Sequence, residues 1–529
     1  MSVISRPIKL ISGLLSDNGL TKKAYLNALT VMLDYGASVA VTFLITPLML
    51  AGLGNYLFGM WQVLNRMVGY ITPASGRPGF ALKATLANQQ ASTDYAQKRR
   101  YVGSTLLIWV IFLPLLIGVG AVVSWYVPYW VHAPANYVWI VRLAAAVLSA
   151  NLVIDALSSV PQVTLQGENL GYKRMGMSVV MVFVGGGFYW LALSLHLGLV
   201  GISAAVFCST LATGLFYLKV VGSYVPWFGV EKPYPEETRQ MLRLSWWFMG
   251  WNLVTSLLLV SDVVVLGVLQ SVESVTNYTL TKYVPENLIG VIVIVVMGII
   301  PGLGKIVGTG DHGKAIRVRN EINSFIWLAG TALGASIVLW NRTFLGLWVG
   351  VDHYAGTLPN LLVVIAALQL ALIRSDGNVI DLTLRMSQKV LLGLISVVVS
   401  VGAASLMVGY FDAGIVGLCL GIMGGRLIIS IGYPLLIGKF LGTTLAVQLK
   451  GAIRPALVTA LLFAAAAGLD RVLSSSAGSV IHGWILFIVA AGITGLLMLG
   501  VSFYAGLSAE QRDGMVRRIR SAMSVAQSS

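Results

Sequence analysis

Long apolar runs alternate with short polar breaks from one end of the chain to the other, and the breaks come at nearly regular intervals. Fourteen runs are about 20 residues or more, the length that carries an α-helix across roughly 30 Å of hydrocarbon. They lie near 24–51, 56–87, 101–126, 137–163, 175–196, 199–220, 242–268, 275–303, 321–345, 357–383, 388–410, 413–437, 452–470 and 482–506. This pattern predicts an all-α polytopic membrane protein with 14 transmembrane helices. Composition agrees: 57% of the 529 residues are hydrophobic, 10% are charged and mean hydropathy is +0.84. That leaves too little polar surface for a string of soluble domains.

The net charge of +15 would suggest nucleic acid in a soluble chain, but here it must first be tested as topology. With the N-terminus inside, the segments expected on the cytoplasmic side hold 26 of the 35 Lys and Arg residues. The outer segments hold Arg142, Arg342 and Arg471. A split of this size follows the positive-inside rule and places both termini in the cytoplasm, so nucleic-acid binding loses its main support. Basic residues from Arg6 to Lys23 interrupt the N-terminus before any long apolar run, which argues against a cleavable signal peptide. Ile4, Ile8, Ile11 and Leu15 recur at helical spacing, so residues 1–23 read either as an amphipathic leader on the inner leaflet or as a frayed tail.

An internal repeat is visible. "GLVGISAAVF" at 198–207 matches "GIVGLCLGIM" at 414–423 at an offset of 216, "VTL" at 163 meets "LTL" at 382 at 219, and Trp109 meets Trp327 at 218. Six spans separate the copies, and an even number keeps their orientation, giving an in-line (parallel) repeat about an axis along the membrane normal. The expected domains are the leader 1–23, an N-terminal six-helix lobe 24–220, a cytoplasmic linker 221–241 with three prolines, a C-terminal six-helix lobe 242–438, an appended helix pair within 439–506, and a basic tail 507–529.

Beyond the cations counted to either side, six remain inside spans: Arg66, Arg77, Lys83, Lys282, Arg374 and Arg426. A cation at the bilayer centre costs about 2.5 to 3.5 kcal/mol on insertion scales, so such residues usually face a bundle interior or a wet cavity. On a continuous helix Arg66 and Arg77 would lie about 20° apart around the axis, a two-rung cationic ladder. Pro73 and Pro78 could bend that helix, and Lys83 could snorkel to the cytoplasmic headgroups. Six acids, Asp34, Asp155, Asp262, Glu286, Asp376 and Asp381, also lie in spans, so internal pairing competes with ligand binding. Lys282 and Glu286 are i,i+4 neighbours and read as a pair. Arg374 has Asp376 and Asp381 on its own span. In the N-terminal lobe Arg66, Arg77 and Lys83 meet Asp34 and Asp155 alone, with Asp34 placed to neutralise Arg66, and a surplus cation is left for an anionic ligand. Asp34, Asp155 or Asp262 are the candidates for coupling a proton or sodium ion.

Other motifs carry little. Cys208 and Cys419 both lie in apolar spans, the five histidines are scattered, and no metal-ligand spacing or cofactor motif occurs. "PGLGKIVGTGDHGK" at 301–314 lacks the GxxxxGK[ST] phosphate loop and its strand–loop–helix setting.

"ITPLMLAGLGNYLFGMWQVL" (45–64), the repeated "GLVGISAAVF" and "GIVGLCLGIM", and "TNYTLTKYVPENLIGVIVIVVMGIIPGLGKI" (276–306) resemble the polysaccharide flippases of the multidrug/oligosaccharidyl-lipid/polysaccharide exporter superfamily. A departure is "ASGRPGF" (74–80), where that family often has an Asp-x-Gly-like element. The resemblance implies a flippase that turns a polyprenyl-pyrophosphate-linked oligosaccharide from the inner to the outer leaflet of a bacterial plasma membrane, with membrane lipids and polysaccharide polymerase machinery as partners. It implies that Arg66, Arg77, Arg374 and Arg426, with Lys83, hold the headgroup while two lobes rock, and that the last two spans shelter the polyprenyl tail. Neither ATPase motif nor cofactor is required, since an anion leaving a negative-inside cell gains about 2.3 kcal/mol per charge per 100 mV. The rivals are a cation-coupled small-molecule or multidrug exporter of the same superfamily, which wants an acidic cavity, and a membrane polysaccharide polymerase or ligase, which wants a sizeable outer loop. No expected outer loop exceeds roughly a dozen residues, which disfavours the enzyme.

Overall fold

The computed structural model describes residues 20–516 except Met175, 383–385 and 476–482. The leader up to residue 19 and the tail beyond 516 lie outside the described residues. Thirteen helices among them are long and apolar enough to cross a membrane. The first, α1 (Leu20–Ile71), spans 52 residues, and at 1.5 Å per residue it would run about 78 Å, over twice the hydrocarbon thickness. It is broken at Gly54 (φ 72°, ψ 172°), a conformation that glycine alone adopts freely. Two crossings therefore share this run, and the total agrees with the 14 expected.

The chain parts into two compact units, residues 1–273 and 274–529. The first holds α1, α2 (Pro78–Asn88), α3 (Tyr95–Trp130), α4 (Val138–Gly167), α5 (Met177–Ser194), α6 (Gly198–Tyr224) and α7 (Pro235–Leu269). The second holds α8 (Val272–Gly308), α9 (His312–Trp348), α10 (Thr357–Leu382), α11 (Met386–Gly409), α12 (Gly414–Leu441), α13 (Leu445–Ser475) and α14 (Trp484–Val501). The repeat is written in the element boundaries. Helix α3 and its counterpart α9 begin 217 residues apart and end 218 apart, at Trp130 and Trp348. Each is N-capped by an aspartate, Asp94 accepting from the Gln97 amide and Asp311 from the Lys314 amide, which satisfies one of the orphan amides of a first turn.

In the first unit α4 packs on α3 and α6, and α1 on α5 and α7. Of the expected linker 221–241, residues 225–234 lie between helices and are fastened here. Three consecutive cations that count toward the cytoplasmic charge hold three acids from different segments. Lys98 Nζ lies 2.9 Å from Glu168, Arg99 is 3.3 Å from Glu231 and Arg100 is 3.0 Å from Glu237. Lys98 is 1% exposed and its ammonium stands 5.5 Å from the centre of the Trp227 ring. Trp227 in turn belongs to an apolar cluster with Tyr101, Val225 and Met241.

In the second unit α11 and α12 run backbone against backbone. A Cβ on Gly421 would lie 2.4 Å from the Ala404 amide nitrogen, so a side chain there would force the helices apart; small residues serve this role between membrane helices. The cytoplasmic ends of α9, α10, α11 and α13 are joined by buried charges. Arg319 donates to Asp376 at 2.8 and 3.1 Å and to Gln448 at 2.8 Å, and Lys389 donates to Asp381 at 2.6 Å. Arg319 and Lys389, assigned to cytoplasmic segments by sequence, are 5% and 1% exposed. Each sits within the first two turns or so of its helix, where an acid on a neighbouring helix meets it.

Candidate functional site

The second crossing is discontinuous. Helix α1 ends at Ile71, Thr72–Ser75 form a single 3-10 turn, and α2 starts afresh at Pro78. The sequence "ITPASGRPG" enforces this: Pro78 disfavours the α conformation at the residue before it, and Gly76 takes φ 71° while donating its amide to the Pro73 carbonyl at 3.1 Å. A Cβ on Gly76 would stand 2.6 Å from Cδ2 of Phe112, so the break is pressed against α3. The ladder expected of Arg66 and Arg77 on a continuous helix is therefore corrected. The turn rotates one arginine relative to the other, and helical phase no longer relates them.

Arg77 occupies the N-cap position of α2 in the left-handed region, φ 49° and ψ 41°. Among the described residues four other non-glycine side chains share that region, His132, Asn169, His196 and Asp412. Those four follow helix C-termini, where left-handed caps are common. Arg77 precedes a helix, where an extended conformation is usual. Such strain costs of order 1 to 3 kcal/mol and persists where surrounding structure dictates it. From Arg77 to the end of α2 at Asn88 is about 16 Å at 1.5 Å per residue.

The side chain is held from α7. Nε and Nη2 of Arg77 both donate to Oδ1 of Asn252, at 3.2 and 3.0 Å, and Cζ lies 5.3 Å from the centre of the Phe80 ring. Asp155 on α4 acts on Arg77 electrostatically from beyond the 4.0 Å of an ion pair. Arg77 is half-buried and Asp155 exposed. All of these groups lie in the first unit, and α2, which carries the arginine, packs on α3, α4 and α7.

The remaining candidates are dispersed. Arg66 is half-buried in α1, Lys83 is exposed on α2, Arg374 is exposed on α10 and Arg426 is 5% exposed on α12. Asp34 accepts a 2.5 Å hydrogen bond from Ser178 of α5. Asp262 is 5% exposed on α7, its Oδ1 accepting from the Val263 amide, and neighbouring Ser261 accepts from the Tyr70 hydroxyl at 3.0 Å. Lys282 and Glu286 stand 3.8 Å apart, the i,i+4 pair that spacing predicts. Asp376 and Asp381, weighed by sequence as partners for Arg374, instead meet Arg319 and Lys389. Asn252 and Ser178 escaped sequence reasoning, which weighed charges alone. The signal for Asn252 was a lone amide inside the apolar run "FMGWNLVTS" (248–256).

No family model matches this chain, and no curated protein matches it. Solved structures do. An inward-facing multidrug resistance MATE family transporter of the MOP superfamily matches with a TM-score of 0.62 at 16% identity, over 79% of this chain and 98% of that one. The lipid II flippase MurJ in an inward closed conformation matches with a TM-score of 0.63 at 10% identity, over 91% of this chain and 99% of that one. A MOP superfamily transporter from Pyrococcus furiosus, described as having a binding pocket of reversed polarity, matches with a TM-score of 0.55 at 17% identity, over 80% and 97%. The chain is thus a multi-pass membrane protein with the fold that these transporters and this flippase share.

Proposed function

We propose that the protein is a flippase for a polyprenyl-pyrophosphate-linked oligosaccharide, moving it from the inner to the outer leaflet of a bacterial plasma membrane by alternating access. The observation that carries this reading is Arg77. A guanidinium held at the start of a half-helix by a neutral amide is built to meet an anion. The N-terminus of α2 adds the positive end of a helix dipole, about half an elementary charge, and discontinuous membrane helices use such ends for anionic substrate groups. A guanidinium matches phosphate oxygens in pairs. Arg66, Lys83, Arg374 and Arg426 are the further cations of this reading, and Asp34, Asp155 and Asp262 its candidates for ion coupling.

Two further observations support a lipid-linked cargo. The flippase likeness covers 91% of this chain against 79% for the multidrug transporter, a difference close to the length of the segment from Leu445 to Gly506. No residue of helix α14 is buried, and Ile485 is 82% exposed, so this helix offers its apolar surface to lipid. The competing reading, a cation-coupled small-molecule or multidrug exporter, draws on the transporter likenesses and on the Asp34–Ser178 contact in the first crossing.

The test is depletion of the protein in its own cell, followed by assignment of lipid-linked sugar to a leaflet with a membrane-impermeant enzyme. Accumulation on the inner leaflet is expected. Normal outward exposure in cells without a compensating transporter would refute the proposal.

A further inference from the structure

We infer that Asn252 is a positioning residue that presents Arg77 to its anion without cancelling its charge; this rests on the flippase reading above. A guanidinium carries five N–H donors. Asn252 Oδ1 takes the Nε donor and one on Nη2. That occupies the side edge of the fork and leaves the end edge, Nη1 with the second Nη2 proton, for paired oxygens of a phosphate.

The chemistry of the acceptor is what matters. A carboxylate at Asn252 would hold Arg77 at least as firmly, since charge-assisted hydrogen bonds are about twice as strong as neutral ones. It would also place a full negative charge about 3 Å from the guanidinium, where attraction in a membrane interior is large, and the incoming anion would have to compete with it. An amide supplies the same two hydrogen bonds and no net charge. The protein elsewhere uses carboxylates where a buried cation only needs holding: Asp376 takes Arg319 and Asp381 takes Lys389. Arg77 is treated differently. Its acid, Asp155, stands outside ion-pair distance. The Phe80 ring, 5.3 Å from Cζ, gives the guanidinium a second support that also leaves its charge uncancelled.

The experiment uses the full chain in nanodiscs at pH 7.5, with a short-chain polyprenyl pyrophosphate as probe and its dissociation constant and transbilayer rate as separate readouts. Asn252→Asp, which is nearly isosteric, is expected to weaken binding on the order of tenfold. Asn252→Ala keeps the charge but releases the side chain, and is expected to cost a few-fold in affinity and more in rate. In an Arg77→Ala background, itself weak in binding, Asn252→Asp is expected to cost nothing further. Folding is monitored by thermal midpoint, and Asn252→Ala carries the test through its affinity and rate if Asn252→Asp does not fold. Wild-type affinity in folded Asn252→Asp, with affinity lost in Arg77→Ala, would overturn the role of Asn252 and leave the site standing. Wild-type affinity in Arg77→Ala would overturn the site itself, and the role of Asn252 with it.

Discussion

Nε and Nη2 of Arg319 reach one carboxylate oxygen of Asp376, at 3.1 and 2.8 Å, with the two side chains 6% and 12% exposed. The third nitrogen of the guanidinium donates to Gln448 at 2.8 Å, so this pair is structural: α10 and α13 close around a cation brought by α9. Breaking a buried pair by removing one partner costs about 3 to 5 kcal/mol, because a charge stays behind unpaired. Asp376→Ala should therefore lower the thermal midpoint in detergent far more than Arg374→Ala, whose arginine is exposed on the same helix. Equal midpoints would remove this pair from the account of stability.

The three cations at the start of α3 should rank by burial. Glu168→Ala leaves Lys98, 1% exposed, without its 2.9 Å partner and should be the most destabilising of the three, by some 3 to 5 kcal/mol. Glu231→Ala breaks a pair whose side chains are 40% and 42% exposed, and such pairs are worth about 0.2 to 1 kcal/mol. Glu237→Ala should fall between, with Arg100 and Glu237 at 15% and 12%. Thermal midpoints of the three variants check the order. Protease cutting within 225–234, which holds Glu231 alone of the three acids, should rise most in Glu231→Ala.

Helix α12 should tolerate no bulk at Gly421. A valine there would drive a methyl-bearing Cβ into the Ala404 backbone, and overpacking of a fitted interface costs about 1 to 3 kcal/mol or more. Gly421→Val should reduce folded yield sharply. Gly424→Val, one turn position away with nothing within 4 Å of its Cβ, should not.

The outer connection between α9 and α10 should respond to acid. Burial lowers the pKa of His353 below its ordinary value, with Asp352 partly opposing. A histidine depressed in the folded state binds its proton more readily once the segment opens. Local stability is then full above about pH 6.5 and falls as pH drops from there toward the folded value. Hydrogen exchange at Tyr354 and Ala355, corrected for intrinsic rates, should quicken across that window, and His353→Gln should flatten the response.

Much of the fold was legible because a bilayer permits few solutions. Spans of about 20 apolar residues and the sorting of Lys and Arg fix the crossings, and the offset seen in "GLVGISAAVF" reappears in the bounds of α6 and α12. Charge partners were less legible. Sequence proximity suggested Arg374 for Asp376 and Asp381, whereas the partners, Arg319 and Lys389, come from other helices and depend on packing that spacing along one helix cannot reveal. The site was half visible. Pro73 and Pro78 pointed to a bend around Arg77, but the full break, with an arginine turned into the left-handed region and caught by an amide 175 residues away, required the structure.

The proposed role of Arg77 is to grip the pyrophosphate of a lipid-linked cargo. Its most direct measurement is transbilayer movement of a fluorescent polyprenyl-pyrophosphate-linked oligosaccharide in proteoliposomes, with wild type, Arg77→Ala and Arg77→Lys compared at equal reconstituted protein and a cationic dye as second cargo. Wild type is expected to move the lipid, Arg77→Ala to stay near background and Arg77→Lys to move it partially, with no accumulation of the dye. Lipid movement by Arg77→Ala at the wild-type rate, or dye transport by a wild type that leaves the lipid in place, would contradict it.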